Sequence, residues 1–290
     1  MVLTKSLIRA KRPCADGFRW FIQRFDDHGD YQGLLDALVA AGRVDNARWL
    51  LEQFGPTDAV RALDALDADA VVFAGTLQVR GNVHIGGPAV VGGALLAGGG
   101  VRVAGDLSVG GDARIGGNVR AEGRLSVAGN LRAGWCVEAA GDLCCGGRSR
   151  IGWDLRCGGR LHLGGDAELG AGLHCAGDAY CAGGLRAAGD VEVEGSLRAD
   201  RGIAAAGSIR CGMHVAAGWG VRAGGTLRAE GSIRAGESLQ AGDTIHAGAG
   251  YGVFAGLDVP VDAWESCARV SARRKPDGLM SGWWCGPAPC

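Results

Sequence analysis

Gly105-Asp106-Leu107-Ser108-Val109-Gly110-Gly111-Asp112-Ala113-Arg114-Ile115-Gly116-Gly117 decides the fold of this chain. One set of roles returns every six residues: Gly, Asx or a small polar residue, an aliphatic, a polar residue, a small apolar residue. Counted outward from Gly105 the register runs back to Gly75 and forward to Phe254, thirty consecutive hexapeptides with none lost or gained. The aliphatic position holds Leu77, Val83, Leu95, Val101, Leu107, Val119, Leu125 and Leu131. The position two later holds Val79, Ile85, Val91, Val103, Val109 and Ile115, then mostly Ala or Cys. Apolar–polar–apolar is the period of a short strand with one buried face. Gly and Asx between such strands make a turn, because Gly tolerates positive φ and Asx side chains bond nearby backbone. Strands this short cannot stand alone and must stack on copies of themselves.

A longer echo sets the number of strands per coil. Val83, Val101, Val119 and Val137 are eighteen apart, as are Leu107, Leu125, Leu143 and Leu161, the corner residues Trp135 and Trp153, and the polar-position residues Arg114, Arg132 and Arg150. Three hexapeptides therefore close one coil. The reading is a mainly β protein, a single-stranded triangular β-helix (β-solenoid) of about ten 18-residue coils, roughly 45–50 Å long at the ~4.8 Å strand spacing. From Ala187 to Ala247 the inward small position is almost always Ala, so the core tapers. Ser149 is the one hydroxyl on the inward Leu position and needs a backbone partner.

The flanks are different material. Phe18, Phe21, Ile22 and Phe25 are spaced for an amphipathic helix beginning near Asp16. Asp30 can cap a second helix through Leu34, Leu35, Leu38 and Val39 that ends at Gly42. Asp45 can cap a third through Leu50, Leu51 and Phe54, stopped by Gly55-Pro56. Thr57 can open a fourth through Val60, Leu63 and Leu66. Residues 1–68 read as a small α-helical N-terminal cap, 69–256 as the solenoid, and 257–290 as a C-terminal capping segment or tail. An uncapped solenoid end exposes unpaired backbone and open core. Trp20, Trp49, Trp264, Trp283 and Trp284 are the candidate end-cap contacts.

Composition bounds the function. Gly is 54 of 290 residues but periodic, and Pro is only 7, which fits neither disorder nor collagen. A net charge of −1 gives no electrostatic footprint for a nucleic-acid partner. No apolar stretch approaches the ~18 residues of a membrane span, so integral membrane association is not expected, and the N-terminus lacks a secretory signal; the expected location is cytoplasmic. Of eleven cysteines, Cys145, Cys157, Cys175, Cys181 and Cys211 fall on the inward small position, where they read as buried hydrophobes. Cys14, Cys136, Cys144, Cys267, Cys285 and Cys290 do not. Cys285 and Cys290 are spaced too widely for a structural zinc pair, and the odd total favours reduced thiols. No metal and no cofactor is expected.

The outward residues form three faces. The first carries Gln78, Leu96, Arg114, Arg132, Arg150, Glu168, Arg186, Ala204, Arg222 and Gln240. The second carries His84, Arg102, Arg120, Glu138, Arg156, His174, Glu192, Arg210, Arg228 and His246. On both, nearby turn aspartates offset the arginines. The third begins at Val90 and carries little charge; its Ser108, Ser126, Cys144, His162, Tyr180 and Arg198 are the candidate interaction face.

The runs Gly117-Asn118-Val119-Arg120-Ala121-Glu122-Gly123 and Gly189-Asp190-Val191-Glu192-Val193-Glu194-Gly195-Ser196-Leu197-Arg198-Ala199 resemble the repeats of bactofilins, bacterial polymer-forming cytoskeletal proteins. The resemblance implies a triangular β-helix that grows end to end, and the helical N-terminal segment departs from it. Residue pairs such as Ile85-Gly86 and Ala121-Glu122 are more weakly similar to the left-handed hexapeptide acyltransferases. No loop interrupts the array to bring in a catalytic His, and His84, His174 and His246 lie four or five coils apart. The expectation is a non-enzymatic structural or scaffolding solenoid whose partner is itself, end to end or laterally. The alternative is a protein-binding module (inhibitor, immunity or adaptor protein) that recognises an unidentified protein.

Overall fold

The computed structural model describes residues 1–25 and 28–287. Its body is a parallel β-solenoid with three sheets of thirteen, twelve and eleven strands, which correspond to the first, third and second faces. From Val71–Phe73 to Ile245–Ala247 strands pair in register with the one eighteen residues on, as in Val101↔Val119, Leu107↔Leu125 and Cys157↔Cys175. The expected register to Phe254 breaks after Ala247, where two extra residues put Val253 opposite Ile233, twenty positions back. Within each three-residue strand the outer two residues point inward and are buried, and the middle one points out. One continuous apolar core runs from Phe73 to Ala272.

There are about thirteen turns rather than ten, because the solenoid outruns its hexapeptide register at both ends. The fourth expected helix is absent. Val60–Leu63 and Leu66–Ala68 are strands, paired with Thr76–Val79 and Val83–Ile85. The helical part therefore ends at Phe54, not at residue 68. Likewise the stacking does not stop at 256. The chain leaves the rod after Val253–Phe254, folds a short helix at Trp264–Cys267, and returns in Arg269–Ser271, Leu279–Ser281 and Trp283–Gly286.

The helices are α1 (Lys5–Ala10), α2 (Ala15–Phe25), α3 (Tyr31–Ala40) and α4 (Val44–Phe54). Thr4 caps α1 and the Asp30 carboxylate caps α3 through the Gly33 N–H. Asp45 lies in the first turn of α4 instead of capping it. Gly42 and Gly55 take positive φ to end α3 and α4. A two-stranded pairing of Val2–Thr4 with His28–Asp30 closes the unit. Its core of Leu3, Ile8, Phe21, Tyr31, Leu34, Leu35, Leu38, Ala47, Leu50 and Leu51 continues into Val72 and Ala74 of the first coil.

The corners explain the Asx of the repeat, and its glycines too, though not by the expected positive φ, which no glycine from Gly75 to Gly248 takes. A Cβ on Gly134 would collide with the Gly116 carbonyl oxygen of the preceding coil. Asp106 Oδ1 accepts from the Arg124 N–H at 2.7 Å, Asp142 from Arg160 at 2.8 Å, Asp166 from Gly184 at 2.9 Å and Asp190 from Ser208 at 2.6 Å. Asn82, Asn118 and Asn130 serve Gly100, Cys136 and Arg148 in the same way. Each carboxylate or amide bonds the corner N–H of the next coil, a group that no strand reaches. The bond from the Asn130 N–H holds the Asp112 carboxyl below its usual range, and the bond from Gly184 does the same for Asp166.

Buried thiols do similar work inside. Cys145, Cys181 and Cys211 donate to the carbonyls of Gly129, Gly165 and Gly195. The ten cysteines among the described residues are all free thiols; Cys290 lies outside them. Ser149 does not find the backbone partner its position called for. It is fully buried and its hydroxyl is unbonded among the described residues.

Candidate functional site: rod ends and the third face

The N-terminal end of the rod is shaped by three devices. First, Gln32 of α3 lies along the outer edge of Val71–Phe73 as a neighbouring strand would. Its Nε2 donates to Val72 O at 3.0 Å and its Oε1 accepts from Ala74 N at 2.9 Å. Second, Arg61 occupies the inward Leu column, in register with Leu77. Its guanidinium stacks 5.0 Å from the Phe73 ring centroid and pairs with Asp36 of α3 at 3.4 Å. A charge on an inward position blocks a further coil, because it would have to be desolvated there. Third, Asp64, Asp67 and Asp69 stand exposed around the remaining two edges.

The helical unit also covers part of the third face. The outward residues of that face in its first two coils are Val72 and Val90. Val72 is buried, Val90 packs against the helical core, and Leu51 of α4 reaches the corner at Gly92. The weakly charged face thus has an occupant from the chain itself at its N-terminal end. Beyond it, Ser108, Ser126 and Cys144 are half-buried in a shallow column leading to His162, Tyr180 and Arg198. There the His162 and Tyr180 rings are 5.1 Å apart and Arg198 sits 6.0 Å over Tyr180. The Tyr180 hydroxyl donates to Asp200 at 2.6 Å, and that bond to a carboxylate pushes its pKa up. This gives the face an aromatic–cationic strip, and a second such contact lies at its C-terminal end, where Arg234 sits 5.6 Å over the Phe254 ring.

Trp20 lies in α2 and Trp49 in α4, both packed against the helical core that continues into Val72 and Ala74, while Gln32 and Leu51 reach the first coils directly. Both tryptophans line a cavity of about 280 Å³ with Ile8, Phe21, Leu34 and Leu50. At its rim the Cys14 sulfur accepts from the Gly17 N–H at 3.3 Å.

At the other end, Trp284 pairs with Val270 at the terminus of the inward Leu column and is half-buried against the core. Trp264 packs over Gly256, where positive φ and the ring leave no room for a side chain. Trp283 is exposed on the outside. Irregular registers at Val253/Phe254 and Val270/Ser271 bend the last strands, as bulges do where pairing terminates.

Among the described residues no group of three or more His, Cys, Asp or Glu could hold a metal ion. Among the same residues no helix is long and apolar enough to cross a membrane. Residues 1–55 match the family model described as the YdhT N-terminal domain. The match stops at the Gly55 that ends α4, so it covers the helical unit and none of the solenoid. No curated protein and no solved structure matches the chain.

Proposed function

We propose that the protein is a non-enzymatic scaffold: a capped, rigid rod that holds its YdhT-type helical unit at one end and presents the third face to a partner protein. The observation that carries this is the joint between the two parts. Gln32 completes the backbone bonding of the first coil, and Val72 and Val90 pack against the helical core. A flexible tether would leave the unit free to move; this joint fixes its orientation relative to thirteen coils, a span of roughly 60 Å at ~4.8 Å per strand. Arg61 at one end and the irregular strands around Trp284 at the other favour a discrete rod over an end-to-end filament. The strip from Ser108 to Arg198 is the stretch of the third face, beyond the helical unit, that would meet a partner.

Negative-stain microscopy combined with mass in solution tests the reading. Discrete particles of one length across a hundredfold concentration range are expected. Filaments that lengthen with concentration would overturn it in favour of the self-assembling solenoid.

A further inference from the structure

The corner ladder fails in one place for three consecutive coils. On the corner between the third and first faces the ladder positions are Asn130, Arg148, Asp166, Gly184, Gly202, Gly220 and Ser238, eighteen residues apart. Asp166 bonds the Gly184 N–H. Gly184, Gly202 and Gly220 have no side chain with which to bond the next coil. The backbone N–H groups of Gly202, Gly220 and Ser238 therefore have no hydrogen-bond acceptor among the described residues. At the other ladder positions from Asn82 to Thr244 an unserved N–H stands alone, with a served one in a neighbouring coil. Here three form a row spanning roughly 10 Å, two strand spacings.

The missing side chains also leave a notch of about 490 Å³, lined by these glycines, Ser238, Ala204, Arg186, Arg222, Arg201 and Trp219. A Cβ placed on Gly202 would meet only the Gly220 carbonyl, at 3.3 Å. Arg186 and Arg222 project from the first face on either side of the short Ala204. Neither has a carboxylate within salt-bridge distance among the described residues. Arg201 lies 5.6 Å from the centroid of the exposed Trp219 ring. Four arginines line the notch against two carboxylates, Asp166 and Glu168. Both carboxylates are engaged: Asp166 by Gly184, Arg201 and Arg148, and Glu168 by Arg150 at 2.7 Å.

We propose that this notch is an oxyanion-binding site. Its ligand is a small molecule with two acceptor groups several ångströms apart, a diphosphate or a dicarboxylate. Oxygens of that ligand take the positions the ladder carboxylates hold in other coils, accept from the row of N–H groups, and pair with Arg186 and Arg222. A row of backbone donors flanked by guanidinium groups is the arrangement that recognises such anions.

The test is calorimetric titration of the full chain with pyrophosphate and, separately, with succinate at physiological ionic strength. Saturable one-to-one binding of at least one probe is expected. Gly202→Asn rebuilds the ladder with a neutral amide of the kind present at Asn130. It should weaken that binding by about tenfold or more, as should the Arg186→Ala/Arg222→Ala pair. Circular dichroism and thermal melting establish that each variant is folded. Arg120→Ala on the second face is the control and should leave binding unchanged. No saturable binding of either probe to the wild type, or binding that survives Gly202→Asn in a folded variant, overturns the proposal.

Discussion

At the scale of single residues the rod is unforgiving inside and tolerant outside. The Ser149 hydroxyl lost its water on folding and gained no partner in return. Its column neighbours are Leu131 and Ala167. Ser149→Ala should therefore raise stability, by about 1 kcal/mol, read as a higher urea midpoint with an unchanged slope. The opposite change is a charge on the same type of position. Leu143 is fully buried between Leu125 and Leu161. Leu143→Lys should cost more than about 4 kcal/mol, because the ammonium has neither water nor a counter-charge there. The surface ion pairs are a different case. Arg102–Glu122 and Arg210–Glu192 are largely exposed, and alanine at either arginine should be nearly neutral.

At the scale of the strand-and-corner element, the Asx ladder makes stability depend on pH. Backbone N–H groups of the next coil hold the Asp112 and Asp166 carboxyls below their unfolded values. The unfolded chain therefore binds protons first. The ladder's contribution is complete above the unfolded carboxyl range near pH 4, and it is lost as pH falls through the lower folded values. Urea midpoints from pH 7 to pH 2.5 should fall steeply below about pH 4. Asp112→Asn should keep the Oδ1 acceptor and flatten that fall; Asp112→Ala should lower stability at every pH. The repeat made most of this element legible in advance: inward and outward residues, corner position and eighteen-residue stacking all follow from glycine spacing and apolar alternation. The first coil was hidden by its length. Leu63 to Leu66 and Ala68 to Val71 each span three residues where later corners span four, as from Val79 to Val83. Those two missing residues break the six-residue count and leave Val60, Leu63 and Leu66 at a spacing that mimics a helix. The last coils were hidden by two extra residues ahead of Val253, which pairs with Ile233 twenty positions back, and by the excursion between Phe254 and Arg269. Neither the use of the third face by the helical unit nor the run of unserved N–H groups could be read beforehand. The first depends on Val72, Val90 and Leu51 meeting in space, the second on which side chains are absent next to which backbone atoms.

At the scale of the whole molecule the question is what stops a stack of parallel coils from adding another. A parallel solenoid ends in unpaired edges and an open core, so growth is opposed only by what is placed at its ends. At the N-terminal end that work is divided. Gln32 takes the edge of Val71–Phe73, Arg61 puts a charge in the inward column, and α3 holds Arg61 in place through Asp36. Removing residues 1–55 strips the edge but leaves the charge, and Arg61→Leu restores the column but leaves the edge covered. Each change alone should keep the protein a single species in sedimentation velocity, with the truncated form the less stable because Val72 and Val90 lose their cover. Combined, they present a free edge beside a first coil whose inward positions, Leu63 and Leu66 among them, are then apolar without interruption. The double variant should then associate in a concentration-dependent way, with particles that lengthen by whole rods in negative stain. If it remains one species at every concentration, Arg61 and the helical unit are not what limits growth, which then falls to Asp64, Asp67 and Asp69 on the remaining edges or to the C-terminal end around Trp284.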